Sequence, residues 1–376
     1  MAQRKKSVPS ADTPALLAFL DIGNGAAKAV SNVRKGVVQF EPLIAPMTAK
    51  RGIDPKEKPV FSLRHEDATG KAHVTVYGVA DVFAFGKRDQ RRRFNSMERY
   101  TSPDYFDMAR VLLRHAFGVY VGSAEYIRPY AVGVNIPVNL YNRPENEVAD
   151  TIRDTLAGKH EITDYEGCEL RIHIDADAIS ILPESAGAMV HYGFDPTTLD
   201  RRDDTSGSTL VIDIGFETTD CSLFEGMRYQ RDRGQSFERA GMGIVTRAVT
   251  EYVKSQVRDA DASRIDVALR SIPQGGLKVG VPKVIEVAPG VFVDVSPAYD
   301  SAAAGVASTI AQAISTEYTE GVTRALITGG GAYHLRAMLR DLLPFKLANI
   351  PDPENANVIG GLTGLKIKME NAGGRG

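Results

Sequence analysis

The stretch that decides the fold is residues 17–30, LAFLDIGNGAAKAV: an apolar run, an acid, a Gly-Asn-Gly break, then a segment whose composition predicts a helix carrying a lysine. The run Ala15–Leu20 has strand length, and the break that follows Asp21 and Ile22 predicts a tight turn at the strand's end. Such a turn exposes successive backbone N–H groups, and only glycine lets phosphate oxygens approach them closely. Gly23, Asn24 and Gly25 would supply the amides of an anion cradle and Lys28 a point charge above it. Asp21 alone would repel phosphate, so its expected use is to hold a hydrated Mg²⁺ that bridges the phosphates.

Outward from this stretch the pattern recurs. Residues 208–220, STLVIDIGFETTD, repeat the apolar strand and the Asp-Ile-Gly junction, with Asp213, Gly215, Thr218 and Thr219 as a second cradle facing the first across a cleft. A third strand-to-glycine junction lies at 324–335, RALITGGGAYHL, after a long helical stretch from Tyr299 to Thr319. Residues 106–117 have helical spacing and 130–138 read as a buried strand ending at Pro137. The alternation of strands and helices predicts α/β units with parallel pairing. One Asp-x-Gly-x-Gly is a common tight turn; two matched Asp-Ile-Gly junctions followed by Gly-Gly-Gly-Ala are not.

Composition bounds the rest. With 376 residues, 43% hydrophobic and 24% charged, the chain is long enough for two domain-sized cores. A net charge of −2 gives no global basic field for nucleic acid. Two cysteines, Cys168 and Cys221, make neither a disulfide framework nor a CxxC metal spacing, which fits a reducing cytoplasm. Arg4, Lys5 and Lys6 are followed by Ser7, Pro9, Ser10, Asp12 and Pro14 rather than an apolar core, so residues 1–14 read as a flexible tail. No apolar run approaches the roughly 18 residues of a membrane helix. From Met47 to Arg99 the chain turns polar, with a basic run of Lys87, Arg88, Arg91, Arg92 and Arg93 that lacks interleaved aromatics and reads as a solvated face or a subunit contact.

The three junctions resemble the phosphate-1, phosphate-2 and adenosine motifs of the actin-like ATPase superfamily. DIGNGAAK is similar to the actin-type first phosphate loop, and DIGFETTD resembles the second phosphate motif of the ParM-type plasmid-segregating actins more than that of eukaryotic actin, with Asp220 where eukaryotic actin has histidine. PESAGAM (183–189) and DPENANVIGGL (352–362) resemble the two connecting motifs. The resemblance implies an α/β actin-like ATPase fold of two ribonuclease-H-like domains around a nucleotide cleft. Their bounds would be 15–190, with a small insert near 47–99, and 191–376, with an insert near 243–298 and a C-terminal part returning to the first domain.

The resemblance also implies hydrolysis of MgATP or MgGTP. Glu184 would place the attacking water, Asp21 and Asp213 would hold the hydrated magnesium, and Asp220 would fix the water from the opposite side. Gly329, Gly330, Gly331 and Ala332 would border the base and α-phosphate, with Gly241 and Gly243 before a helix flanking adenine and ribose. It implies a homopolymeric cytomotive filament in the cytoplasm, linked to DNA or another cargo by an adaptor, with no direct membrane or nucleic-acid site. A sugar- or acetate-type kinase is the alternative, although no kinase-specific signature is present; another is a different cytoskeletal role. An FtsA-like membrane adaptor would carry an amphipathic C-terminal helix, whereas this sequence ends KIKMENAGGRG.

Overall fold

The first turn is a hairpin. β1 (Leu17–Ile22) pairs antiparallel with β2 (Ala27–Ser31), Asp21 opposite Lys28 and Ile22 opposite Ala27, so the segment expected to be helical is a strand. Its side chains have period two rather than 3.6: Ala27 and Ala29 join one apolar cluster, while Val30 joins another on the opposite face of the sheet. Alanine and lysine favour a helix in isolation, and burial on both faces overrides that preference. The computed structural model describes residues 15–40, 43–46, 60–66, 72–79, 92–93, 100–145, 147–163, 167–202, 205–258, 260, 262–272, 280–318 and 320–373.

After β3 (Val38–Phe40), four strands follow, β4 (Leu43–Pro46), β5 (Val60–Glu66), β6 (Ala72–Val79) and β7 (Arg92–Arg93). α1 (Pro103–Ala116) starts where Ser102 accepts the Tyr105 N–H and Pro103 occupies the first turn. Then come β8 (Ala131–Ile136), α2 (Val138–Tyr141), α3 (Glu147–Leu156), β9 (Gly158–Thr163), β10 (Glu169–Ile174), β11 (Ile179–Pro183) and α4 (Ala186–Gly193). The central sheet has the order β3-β2-β1-β8-β11, antiparallel through the first three strands and parallel from β1 onward.

A second sheet, ordered β10-β9-β5-β6-β4-β7, joins the 47–99 segment to β9 and β10 from beyond α1. The basic residues Lys87, Arg88 and Arg91 lie outside the described residues, as do Arg4, Lys5 and Lys6; Arg92 and Arg93 form β7 against Leu43 and Ile44.

The second half repeats the first. β12 (Ser208–Ile214), β13 (Thr218–Glu225), β14 (Arg228–Tyr229) and β15 (Gln235–Glu238) precede α5 (Gly243–Gln256), α6 (Ala262–Arg270), β16 (Val284–Ala288) and β17 (Val291–Asp294). α7 (Ser296–Glu317), β18 (Arg324–Thr328), α8 (Ala332–Leu342), β19 (Lys346–Leu347) and α9 (Ala356–Gly373) complete the chain. The order β14-β13-β12-β18-β19, antiparallel up to β12 and parallel beyond it, matches the first sheet strand for strand. The parallel pairing expected of α/β units runs from β1 and β12 onward, and the antiparallel hairpins before it make both sheets mixed. α9 packs Val358, Leu362 and Leu365 on Leu17 and Phe19 of β1, and its Gly360 backbone meets that of Gly187 in α4.

Charge is also buried in the first half. Arg110, 1% exposed, pairs with Asp107 at 2.6 Å and donates through Nε to His160 Nδ1 at 3.1 Å. Burial, with the Arg110 charge beside it, lowers the His160 pKa to about 3. The unfolded chain takes up a proton here near pH 6.5 that the folded chain excludes until about pH 3, so this group's contribution to stability falls as pH drops through that window. The urea midpoint is expected to fall accordingly, and His160→Gln, less stable at neutral pH, to show a flatter dependence.

Candidate functional site

The two Asp-Ile-Gly turns have the same geometry. Gly23 N–H donates to Ala26 O at 2.9 Å and Gly215 N–H to Thr218 O at 2.9 Å, and a Cβ on either glycine would stand 3.1 Å from that carbonyl. Seven residues beyond each aspartate stands its cross-strand partner, Lys28 for Asp21 and Asp220 for Asp213. The turns face each other so closely that a Cβ on Gly25 would lie 3.0 Å from the Phe216 Cβ. Beside them opens a cavity of about 580 Å³, a size that suits a nucleotide.

Carboxylates concentrate on one side. Asp213 is raised to about 7 by burial and by the neighbouring charges of Asp21 and Asp220. The Asn357 amide donates to Asp213 Oδ2 at 2.5 Å, and the Asn135 amide, its nitrogen toward Asp21, donates to Oδ1 at 3.2 Å. Burial likewise raises Asp220, against hydrogen bonds from Ser236, the Val138 N–H at 3.2 Å and Thr218 Oγ1 at 3.0 Å, and one shared with Glu184. Glu184 follows the last residue of β11: its N–H donates to Ile136 O at 2.7 Å and its Oε1 accepts from Tyr100 at 3.3 Å. The next residue, Ser185, has φ of 78°, a left-handed conformation uncommon outside glycine, which starts α4 abruptly after the carboxylate.

Lys28 is 5% exposed and its ammonium donates to the Glu354 carbonyl at 2.6 Å. The 352–357 segment that receives it also takes the Gly329 N–H on Pro353 O at 2.9 Å, and Asn357 Oδ1 accepts from the Ala188 N–H of α4 at 3.1 Å. Gly329 has φ of 81°, and a Cβ there would overlap the Asp213 carboxylate; Gly331 N–H donates to Ile214 O at 2.9 Å. The glycine run thus lies flat on the second turn, and α8 starts there with its N-terminus toward the cavity.

The structure brings Asp21, Gly23, Asn24, Gly25, Lys28, Glu184, Asp213, Gly215, Thr218, Gly329, Gly330 and Gly331 to the cavity wall. Thr219, Asp220, Gly241, Gly243 and Ala332 stand behind that wall. Thr219 Oγ1 donates to Ala240 O at 2.6 Å. Asp220 is 1% exposed and reaches the site through Glu184. Gly241 and Gly243 make room for the second turn: Gly243 N–H donates to Phe216 O at 2.6 Å, and a Cβ on Gly241 would overlap that oxygen. Ala332 is buried in the second-half core.

The far wall consists of residues that the sequence reading did not single out. Tyr299 from α7 meets His334 Nδ1 from α8, and burial lowers the His334 pKa to about 4, so the ring is neutral at pH 7. Arg270 from α6 crosses the cleft to donate to Gly25 O at 2.5 Å while pairing with Asp266 at 2.9 Å. Met242, Thr246, Tyr333 and Glu354 complete it. Tyr299 and Arg270 carry no local motif; Tyr333 and His334 share α8 and lie in the 324–335 junction, and Glu354 lies in the 352–362 stretch, where the sequence marks the motif but not these side chains.

Two mixed sheets that share one five-strand order, the second with β15 added beside β13, and crossing helices around such a cleft define the actin-like fold. A family model described as archaeal actin homologue MreB-like, C-terminal, matches residues 211–341. Among solved structures, the archaeal actin homologue Ta0583 superposes with a TM-score of 0.70 at 17% identity, over 94% of this chain and 99% of that one. ParM from Clostridium botulinum, in a structure of a 15-stranded filament, gives 0.68 at 18% identity over 94% and 100%. Bacillus thuringiensis ParM with ATP gives 0.68 at 15% identity over 96% and 100%. No curated protein sequence matches. No helix among the described residues is long and apolar enough to cross a membrane.

Proposed function

We propose that this protein binds and hydrolyses MgATP in the cleft and assembles with copies of itself into dynamic filaments. The observation that carries the reading is the pair of equivalent glycine turns, closed on one side by Glu184 and on the other by the Gly329–Gly331 run. ATP in Bacillus thuringiensis ParM and the filament of Clostridium botulinum ParM support it, as does ADP in Ta0583. By the same likeness, the proposed cargo is plasmid or other DNA held through an adaptor in the cytoplasm.

Backbone amides of Gly23–Gly25 and Gly215 would take phosphate oxygens, and Lys28 would neutralise part of their charge. Glu184, oriented by Tyr100 and Asp220, would hold the attacking water in line with the γ-phosphate. Asp21 and Asp213 fit a hydrated Mg²⁺: Asp213 is raised first by burial and then by the Asp21 and Asp220 charges, and a divalent cation beside the two carboxylates would offset both. Among the described residues no three His, Cys, Asp or Glu side chains form a metal cage, so the ion would keep waters and phosphate oxygens as ligands. When bound it would neutralise charge building on the phosphates.

Sedimentation and light scattering with MgATP, MgADP or EDTA, with phosphate release followed in the same samples, test this. MgATP is expected to give pelletable polymer that decays as phosphate appears. Phosphate without polymer at high concentration would sink the filament claim and turn attention to a small-molecule kinase; neither polymer nor phosphate would sink the reading as a whole.

A further inference from the structure

Lys28 does not wait with an open charge. Besides the 2.6 Å bond to the Glu354 carbonyl, its ammonium lies 3.6 Å from Glu354 Oε1, and the Gln39 amide donates to the same oxygen at 3.3 Å. The two side chains differ in access, 6% exposed for Lys28 and 33% for Glu354. Both line the cavity, so a phosphate oxygen that takes the ammonium meets a carboxylate already on it. One anion can displace another from a lysine at small cost, because the ammonium's donors are shared rather than lost.

The carboxylate also belongs to a segment bonded to both halves of the molecule. Asp352, two residues before it, has φ of 41°, which stores strain in a non-glycine residue. Pro353 O holds the Gly329 turn, and Asn357 binds Asp213 on one side and α4 on the other. A shift of Glu354 therefore acts on a segment tied to both halves of the molecule.

We propose that Glu354 is a competing counter-ion for Lys28, a positioning residue that gives up the ammonium when a phosphate arrives and passes that exchange to the 352–357 connection. This rests on the nucleotide reading above and adds to it a reason for phosphate occupancy to be felt at the crossing of α4 and α9.

The test is calorimetric binding of MgADP, inorganic pyrophosphate and adenosine to the full chain and to Glu354→Gln, Glu354→Asp and Lys28→Met. Glu354→Gln keeps the carbonyl contact and removes the charge. It is expected to tighten MgADP and pyrophosphate by about two- to fivefold, the size of a partly exposed ion pair, and to leave adenosine unchanged. Glu354→Asp should bind like the parent chain, and the gain should vanish in the Lys28→Met background. A general loosening of the segment would move adenosine too, so equal changes in all three ligands overturn the proposal, as does a gain that persists without Lys28 or unchanged phosphate binding. If the parent chain binds none of the three, the nucleotide reading itself fails, which is a different result from a parent that binds and a variant that does not change.

Discussion

Glu184→Gln is expected to cut phosphate release by about a hundredfold or more while MgATP binding stays within a few-fold of the parent chain. The carboxylate is positioned by backbone and side chain at once. Its own N–H is fixed on Ile136 O at 2.7 Å, Tyr100 donates to it, and Asp220, itself held by Ser236, Thr218 and the first turn of α2, makes a hydrogen bond with it. A glutamine keeps the volume and much of the hydrogen bonding and loses only the ability to take a proton from water. If filaments form, they should form in the variant and persist, since disassembly would follow hydrolysis. Phosphate release at the parent rate, with correct folding shown by circular dichroism, would remove Glu184 from the reaction.

The other large effect concerns stability. Where α4 and α9 cross, a Cβ on Gly360 would overlap the Gly187 carbonyl oxygen and come within 2.7 Å of the His191 nitrogen, so both obstacles are backbone. Neither can swing aside as a side chain would, and the helices must separate. Gly360→Ala is therefore expected to cost about 3 kcal/mol or more, at the upper end for overpacked interiors. Gly305→Ala in α7 provides the control: nothing lies within 4 Å of its added Cβ, so replacing glycine in that helix should stabilise by roughly 0.5–1 kcal/mol. Urea midpoints of the two variants should move in opposite directions. A neutral Gly360→Ala would mean that the crossing is not tightly packed.

What the sequence revealed was local. An apolar run stopped by Asp-Ile-Gly carries its own signal, because strand, turn and phosphate-sized opening are set within eight residues. The segment after the first turn was misread since Ala-Ala-Lys-Ala-Val has the helix preference of its residues and shows its strand period only against two cores that lie elsewhere in the chain. Gly241 and Gly243 are expected beside adenine and ribose through the family resemblance; the backbone they sit against is that of Phe216, behind the cavity wall. The wall of Tyr299, His334 and Arg270 is assembled from α7, α8 and α6 by tertiary packing, and although His334 lies within the 324–335 junction, nothing in the sequence points it toward Tyr299.

The equal spacing of the two hairpins bears on the ancestry and the polarity of the cleft. Sheet order, turn geometry and the interval from aspartate to cross-strand partner coincide in the two halves, as a duplicated unit would have them. The two units differ at one telling place, where one carries a cation, Lys28, and the other an anion, Asp220. A cleft between identical copies would read the same from either side. Here the cation lines the cavity and the anion stands behind its wall, so the two sides of the cleft differ, and the phosphate chain proposed to enter would meet the ammonium on one side only.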